Sequence, residues 1–195
     1  MDLISGSRQA QAIGIIDKVI AAYETAYRGK AVLCARDMAD AANISLSAML
    51  HKGGKVTIIG PGWCEALFLK GYALVDLNRS IEAEAALARA VAMAPTRAHY
   101  LNEYAELWKG RREWHRSYGL FARAYAISDQ DPKSPDARIT ARSLRGMGYT
   151  KIELGDLDEA ERMFHLSQQF DPDNAGVRTE LEYIARKKAT GTPGS

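Results

Sequence analysis

The sequence predicts an all-α solenoid of antiparallel helix pairs, and three observations predict it. Apolar residues recur at three- and four-residue steps over nearly the whole chain, the spacing of one face of an α-helix. From Trp63 onward the chain repeats itself with a period of 34 residues, which marks stacked supersecondary units. Composition is that of an ordinary folded domain, with 47% hydrophobic and 26% charged residues among 195. A chain of that size supports one compact domain or one short repeat array.

The first element is a helix carrying Ile13, Ile16, Ile20, Tyr23 and Tyr27 on one face, and Arg28-Gly29-Lys30 is its stop signal. A second helical run follows from about Ala31 to Leu50 and ends at His51-Lys52-Gly53-Gly54. Together they read as an N-terminal helical hairpin. Lys55 to Ile59 (KVTII) leans toward β structure but has no evident strand partner. It is expected as an extended connector to the turn Gly60-Pro61-Gly62. Hairpin and connector account for residues 1–62.

Three repeats are expected over residues 63–174, at about 64–97, 98–131 and 141–174. Leu67 aligns with Leu101, Leu87 with Phe121 and Ala90 with Ala124, each pair 34 residues apart. The step from Leu101 to Leu144, and from Phe121 to Phe164, is 43 residues. The surplus falls on Asp129 to Ile139 (DQDPKSPDARI), a polar stretch with two prolines, so the insertion lies between repeats. Val177, Leu181 and Ile184 share a face of a further helix over about 175–189, which is expected to cap the array end. Residues 190–195 read as a flexible tail.

These residues resemble the tetratricopeptide-repeat family, whose unit is a 34-residue pair of antiparallel helices. Its pattern places a large apolar residue and then a small one in the first helix. A small residue, a bulky one and another small one follow in the second, with proline closing the unit. The first repeat supplies Leu67, Gly71, Ala83, Leu87, Ala90 and Pro95. The second supplies Leu101, Ala105, Ser117, Phe121 and Ala124 without the closing proline, and the third supplies Leu144, Gly148, Ala160, Phe164, Ser167 and Pro172. Small residues at the crossing let helix axes approach while bulky ones fill the opposite groove. The resemblance covers about 110 of the 195 residues and implies a right-handed solenoid.

The resemblance also implies a function: a protein-interaction scaffold that binds a partner's peptide or helix in a concave groove lined by the first helix of each pair. Carried over position by position, the groove set is Phe68, Tyr72 and Asp76, then Asn102, Glu106 and Lys109, then Arg142, Arg145 and Tyr149. Glu65, Val75, His99, Ile152 and Glu153 extend it. Phe68, Tyr72 and Tyr149 would be apolar anchors, and Lys109, Arg142 and Arg145 a cationic sector. The family's best-known groove grips a terminal carboxylate through Lys, Asn and Arg. Of those places only Arg145 matches, while Phe68, Tyr72, Glu106 and Tyr149 occupy others, so that specificity is not expected. An alternative is a secretion chaperone, similar to those of the bacterial type III system, holding an unfolded client in the same groove. A third reading, an enzyme with a site where the hairpin meets the first repeat, has no residue set behind it.

No chemistry-bearing motif appears. His51, His99, His115 and His165 show no HExxH and no Cys/His metal spacing, and are expected on helix surfaces. There is neither a GxSxG nor a GxxxxGK[ST]. The expectation is therefore no enzyme, no catalytic residues, no metal and no cofactor. Net charge is +2 with Lys and Arg interleaved among Asp and Glu, so a nucleic-acid partner is not expected. No apolar stretch approaches membrane-spanning length, and no membrane insertion is expected. Cys34 and Cys64 lack CxxC spacing and read first as small buried apolar residues, with a disulfide left open. With no basic–apolar leader at the start, the expected compartment is the cytoplasm, and the periplasm stays open for a chain whose leader has been removed. Nothing in the pattern sets the oligomeric state.

Overall fold

The computed structural model describes residues 3–50 and 55–191. The expected helix stop at His51–Gly54 and the last four residues of the tail lie outside them. The chain divides into two compact units, Met1–Thr96 and Arg97–Ser195.

In the first unit, α1 (Leu3–Ala26) packs on α3 (Gly62–Asp76), which pairs with α4 (Ser80–Met93). The α3–α4 pair is the first repeat. Its crossing works as the spacing predicts: a Cβ on Gly71 would lie 2.5 Å from Leu87 Cγ. Only the absence of a side chain lets these helices approach so closely. Leu67, Leu74, Ala83, Leu87 and Ala90 are buried around that contact. Asn78, with φ 57°, turns the chain between the two helices in the left-handed region, where asparagine is better tolerated than most residues. Ile13 and Ile20 of α1 are buried. Ion pairs from Asp17 to Lys70 (2.6 Å) and from Glu24 to Arg89 (2.5 Å) flank them.

The segment between α1 and α3 corrects the sequence reading. Ala31–Leu50 is not one helix: Ala31–Cys34 is a strand, β1, and only Met38–Leu50 is helical, as α2. Gly29 at φ 73° ends α1 and redirects the chain. The Asp37 carboxylate then accepts the Asp40 N–H (2.9 Å) and starts α2. Val56–Ile59 forms β2, and the partner that seemed missing is β1: the strands run parallel, from Ala31 opposite Val56 to Cys34 opposite Ile59. The region is a β–α–β unit, so α1 and α2 do not form a hairpin. Cys34 and Cys64 are joined as a disulfide (Cα–Cα 6.2 Å), which ties the end of β1 to the first turn of α3. Both cysteines are buried, as expected of them, but as a cross-link.

The second unit holds α5 (Ala98–Gly110), α6 (Trp114–Ile127), α7 (Ala137–Glu153), α8 (Leu157–Ser167) and α9 (Ala175–Thr190). The α5–α6 and α7–α8 pairs are the second and third repeats, and α9 is the cap. Fully buried Phe121 of α6 faces Gly146, and nearly buried Phe164 of α8 faces Gly148. Residues 128–136 carry the insertion, and Thr140 anchors it by donating its hydroxyl to the Asp129 carbonyl (2.7 Å). Val177 and Ile184 of α9 are buried against Ile152, Ala160 and Phe164. That closes the apolar end of the array.

Candidate functional site

Within Arg97–Ser195, α5, α7 and the start of α9 border an open cleft of about 340 Å³. Helical periodicity places Glu106 and Lys109 one turn apart on α5, and Arg142, Arg145 and Tyr149 in one row on α7. These five residues, all in the groove set expected from the sequence, line the cleft together.

The cations of this row are individually neutralised. Arg145 donates to the Asp171 carboxylate (2.9 Å), which also accepts from the Asn174 amide (3.0 Å). Arg142 pairs with Glu103 at 2.5 Å, and Lys109 with Glu106 at 2.5 Å. Lys109 Nζ also stands 4.8 Å from the centre of the Tyr149 ring, a cation–π contact. The Trp114 ring packs near Tyr149 with centroids 6.4 Å apart. Burial pushes the Tyr149 hydroxyl above the usual tyrosine range, and the nearby carboxylates of Glu153 and Glu180 add to this. Burial likewise raises the Glu180 carboxyl, while Lys109 draws it down and Glu153 pushes it up. The result is an aromatic side chain, Tyr149, ringed by paired charges.

Asn102 requires a correction. It is fully buried, its amide donating to the Ile139 carbonyl (3.2 Å) and its carbonyl accepting from the Ser143 hydroxyl (2.9 Å). It therefore joins α5 to α7 inside the unit and cannot face a partner. Ile152 is also buried, under the cap. His99 departs from a surface histidine: burial, reinforced by Arg97 and Arg142, lowers its pKa to about 4. Phe68, Tyr72 and Asp76 belong to α3 in the first unit. There the Phe68 and Tyr72 rings lie 6.5 Å apart, Tyr72 is half exposed, and Asp76 accepts from the Gln9 amide (3.1 Å).

Sequence reasoning missed Glu180 and the paired carboxylates Glu103 and Asp171. A signal for Glu180 existed, since it lies four residues after Gly176 on α9, beside the buried stripe of Val177, Leu181 and Ile184. Among the described residues, no group of three or more His, Cys, Asp or Glu side chains is placed to hold a metal.

Residues 65–97 match the model of the Tetratricopeptide repeat family. The fold is a tetratricopeptide-repeat fold. Solved structures agree. The first tetratricopeptide domain of Spaghetti (RPAP3), bound to the HSP90 peptide SRMEEVD, superposes with a TM-score of 0.57 at 16% identity, covering 65% of this chain and 93% of that one. PilF of Pseudomonas aeruginosa gives 0.58 at 16% identity over 93% of this chain and 71% of its own. MamA gives 0.57 at 15% over 78% and 85%. At such identities the likeness is one of fold. A search of curated protein sequences returns no significant match. In tetratricopeptide terms, the cleft lies on the first helices of the second and third repeats and on the cap.

Proposed function

We propose that this tetratricopeptide-repeat protein is a non-enzymatic interaction scaffold, and that the cleft between α5, α7 and α9 receives a segment of a partner protein. The observation that carries the reading is Tyr149, an aromatic side chain set in a cleft whose cations are already paired. An aromatic anchor bordered by charge is what binding surfaces use for affinity and orientation. The Spaghetti domain of the same fold is bound to a peptide, which supports the general mode of use. The chemistry differs from a carboxylate grip, because Arg145, Arg142 and Lys109 each already have a carboxylate neighbour. A partner segment with an apolar or aromatic side chain for Tyr149 and mixed charges around it fits better than an acidic tail.

The test is site-directed photocrosslinking in the native host. A benzophenone side chain replacing Tyr149 should yield an adduct of defined mass, and the same group at exposed Arg162 of α8 should not. Equal adducts at both positions, or none at Tyr149, would refute the cleft assignment.

The Cys34–Cys64 disulfide supports an oxidising compartment over the cytoplasm, where thiols are kept reduced.

A further inference from the structure

The parallel register determines which backbone groups of β2 are used. The Ile59 carbonyl accepts from Ala35 N–H (2.8 Å), so Ile59, and by alternation Thr57, direct their backbone toward β1. Val56 and Ile58 then direct their N–H and C=O groups away from it. β1 is packed by α3 and α4, whereas β2 meets β1 and α2. Among the described residues, no turn, cap or side chain bonds to the backbone of Val56 or Ile58. Sheets normally guard such an edge with proline, inward charge or a bulge. Val-Thr-Ile-Ile carries none of these, and all four of its residues are favoured in strands.

The same β–α–β unit exposes a second unpartnered surface. Met38, Leu46, Met49 and Leu50 of α2 are 90%, 57%, 77% and 72% exposed. Their spacing puts them within roughly a third of the helix circumference.

We propose that β2 is a dimerisation edge, and that its occupant is the β2 strand of a second copy, paired antiparallel about a twofold axis at Thr57. That register is self-complementary. Val56 of each copy lies opposite Ile58 of the other, and the two outward residues exchange four N–H···O bonds. Thr57 faces Thr57, and Lys55 falls opposite Ile59, so no like charges meet. The pairing closes on itself, as a twofold contact must, and joins the two parallel pairs into one four-stranded sheet. Four hydrogen bonds make a small contact by the standard of stable interfaces. The apolar face of α2 supplies further surface of the kind that association buries.

Sedimentation velocity of the oxidised, full-length protein tests this. The expected result is a concentration-dependent rise from 21.4 kDa to twice that mass. Ile58→Pro removes an outward N–H and leaves the β1–β2 ladder intact, so it should weaken the dimer by at least about tenfold with an unchanged circular dichroism spectrum. Hydrogen exchange reads the same edge without any substitution. The Val56 and Ile58 amides should gain protection as concentration rises, while Thr57 and Ile59 stay protected throughout. A monomer at all concentrations overturns the proposal, including one that instead binds an extended peptide. So does a dimer that forms with Val56 and Ile58 still exchanging freely, or one lost only on Leu46→Glu with Met49→Glu.

Discussion

Gly146 and Gly148 sit two residues apart on α7, and each faces an aromatic ring from a different helix. A Cβ on Gly146 would lie 2.4–2.5 Å from three atoms of the Phe121 ring. That ring is fully buried and has nowhere to move. Gly146→Ala should therefore destabilise by about 1–3 kcal/mol through overpacking, outweighing the roughly 1 kcal/mol that alanine gains in a helix. Gly119 on α6 meets nothing within 4 Å, so Gly119→Ala should stabilise by up to about 1 kcal/mol. Urea midpoints of the two variants, opposite in sign, check the argument. His99 supplies a pH test. Its folded pKa of about 4 lies below its ordinary 6.5, so the folded state favours the neutral ring. Stability is complete above pH 6.5 and falls as pH drops toward 4. His99→Gln should flatten that part of the stability profile, and an unchanged slope would show that His99 does not set it. From sequence, a polar residue such as Asn102 on a first helix reads as groove-facing. Its buried role depends on Ser143, 41 residues away, which no local pattern reveals. The same holds for Arg142 with Glu103 and Arg145 with Asp171, separated by 39 and 26 residues.

Helices and strands differed in how well they could be read. The repeat helices were legible because their signal is local and repeated: turn-by-turn apolar spacing, and small residues such as Gly71 and Gly148 where helices cross. β1 and β2 were not. Four-residue segments such as Ala-Val-Leu-Cys fit a helix face as well as a strand, and their pairing joins residues 25 positions apart. The disulfide belongs to this scale, because it links two elements of the first unit across 30 residues. By the chain-entropy estimate, a loop of that length stabilises the folded state by roughly 3–4 kcal/mol. Cys34→Ser with Cys64→Ser, or reduction, should lower unfolding free energy by about that amount and loosen β1 first. Equilibrium denaturation with and without reductant measures it, and coincident curves would show that the cross-link contributes nothing.

At the scale of the molecule, the fold class followed from the helical spacing and the repeat, while the candidate cleft was only partly legible. Five of nine expected groove residues line one cleft of the second unit. Family spacing placed them there, and charge pairing, which depends on the folded geometry, set their chemistry. The parallel pair β1–β2 has a further consequence, for the order of folding. Every repeat closes between neighbouring helices joined by short turns, so its contacts form with little loop to restrain. β1 and β2 must pair across the whole of α2, and the cysteine bond needs an oxidant as well. Among the described residues, the second unit has no strand pair and no disulfide, and so no such step to wait for. The steps that need distant segments to meet thus belong to the first unit, where the strands must pair and the cysteines must be oxidised.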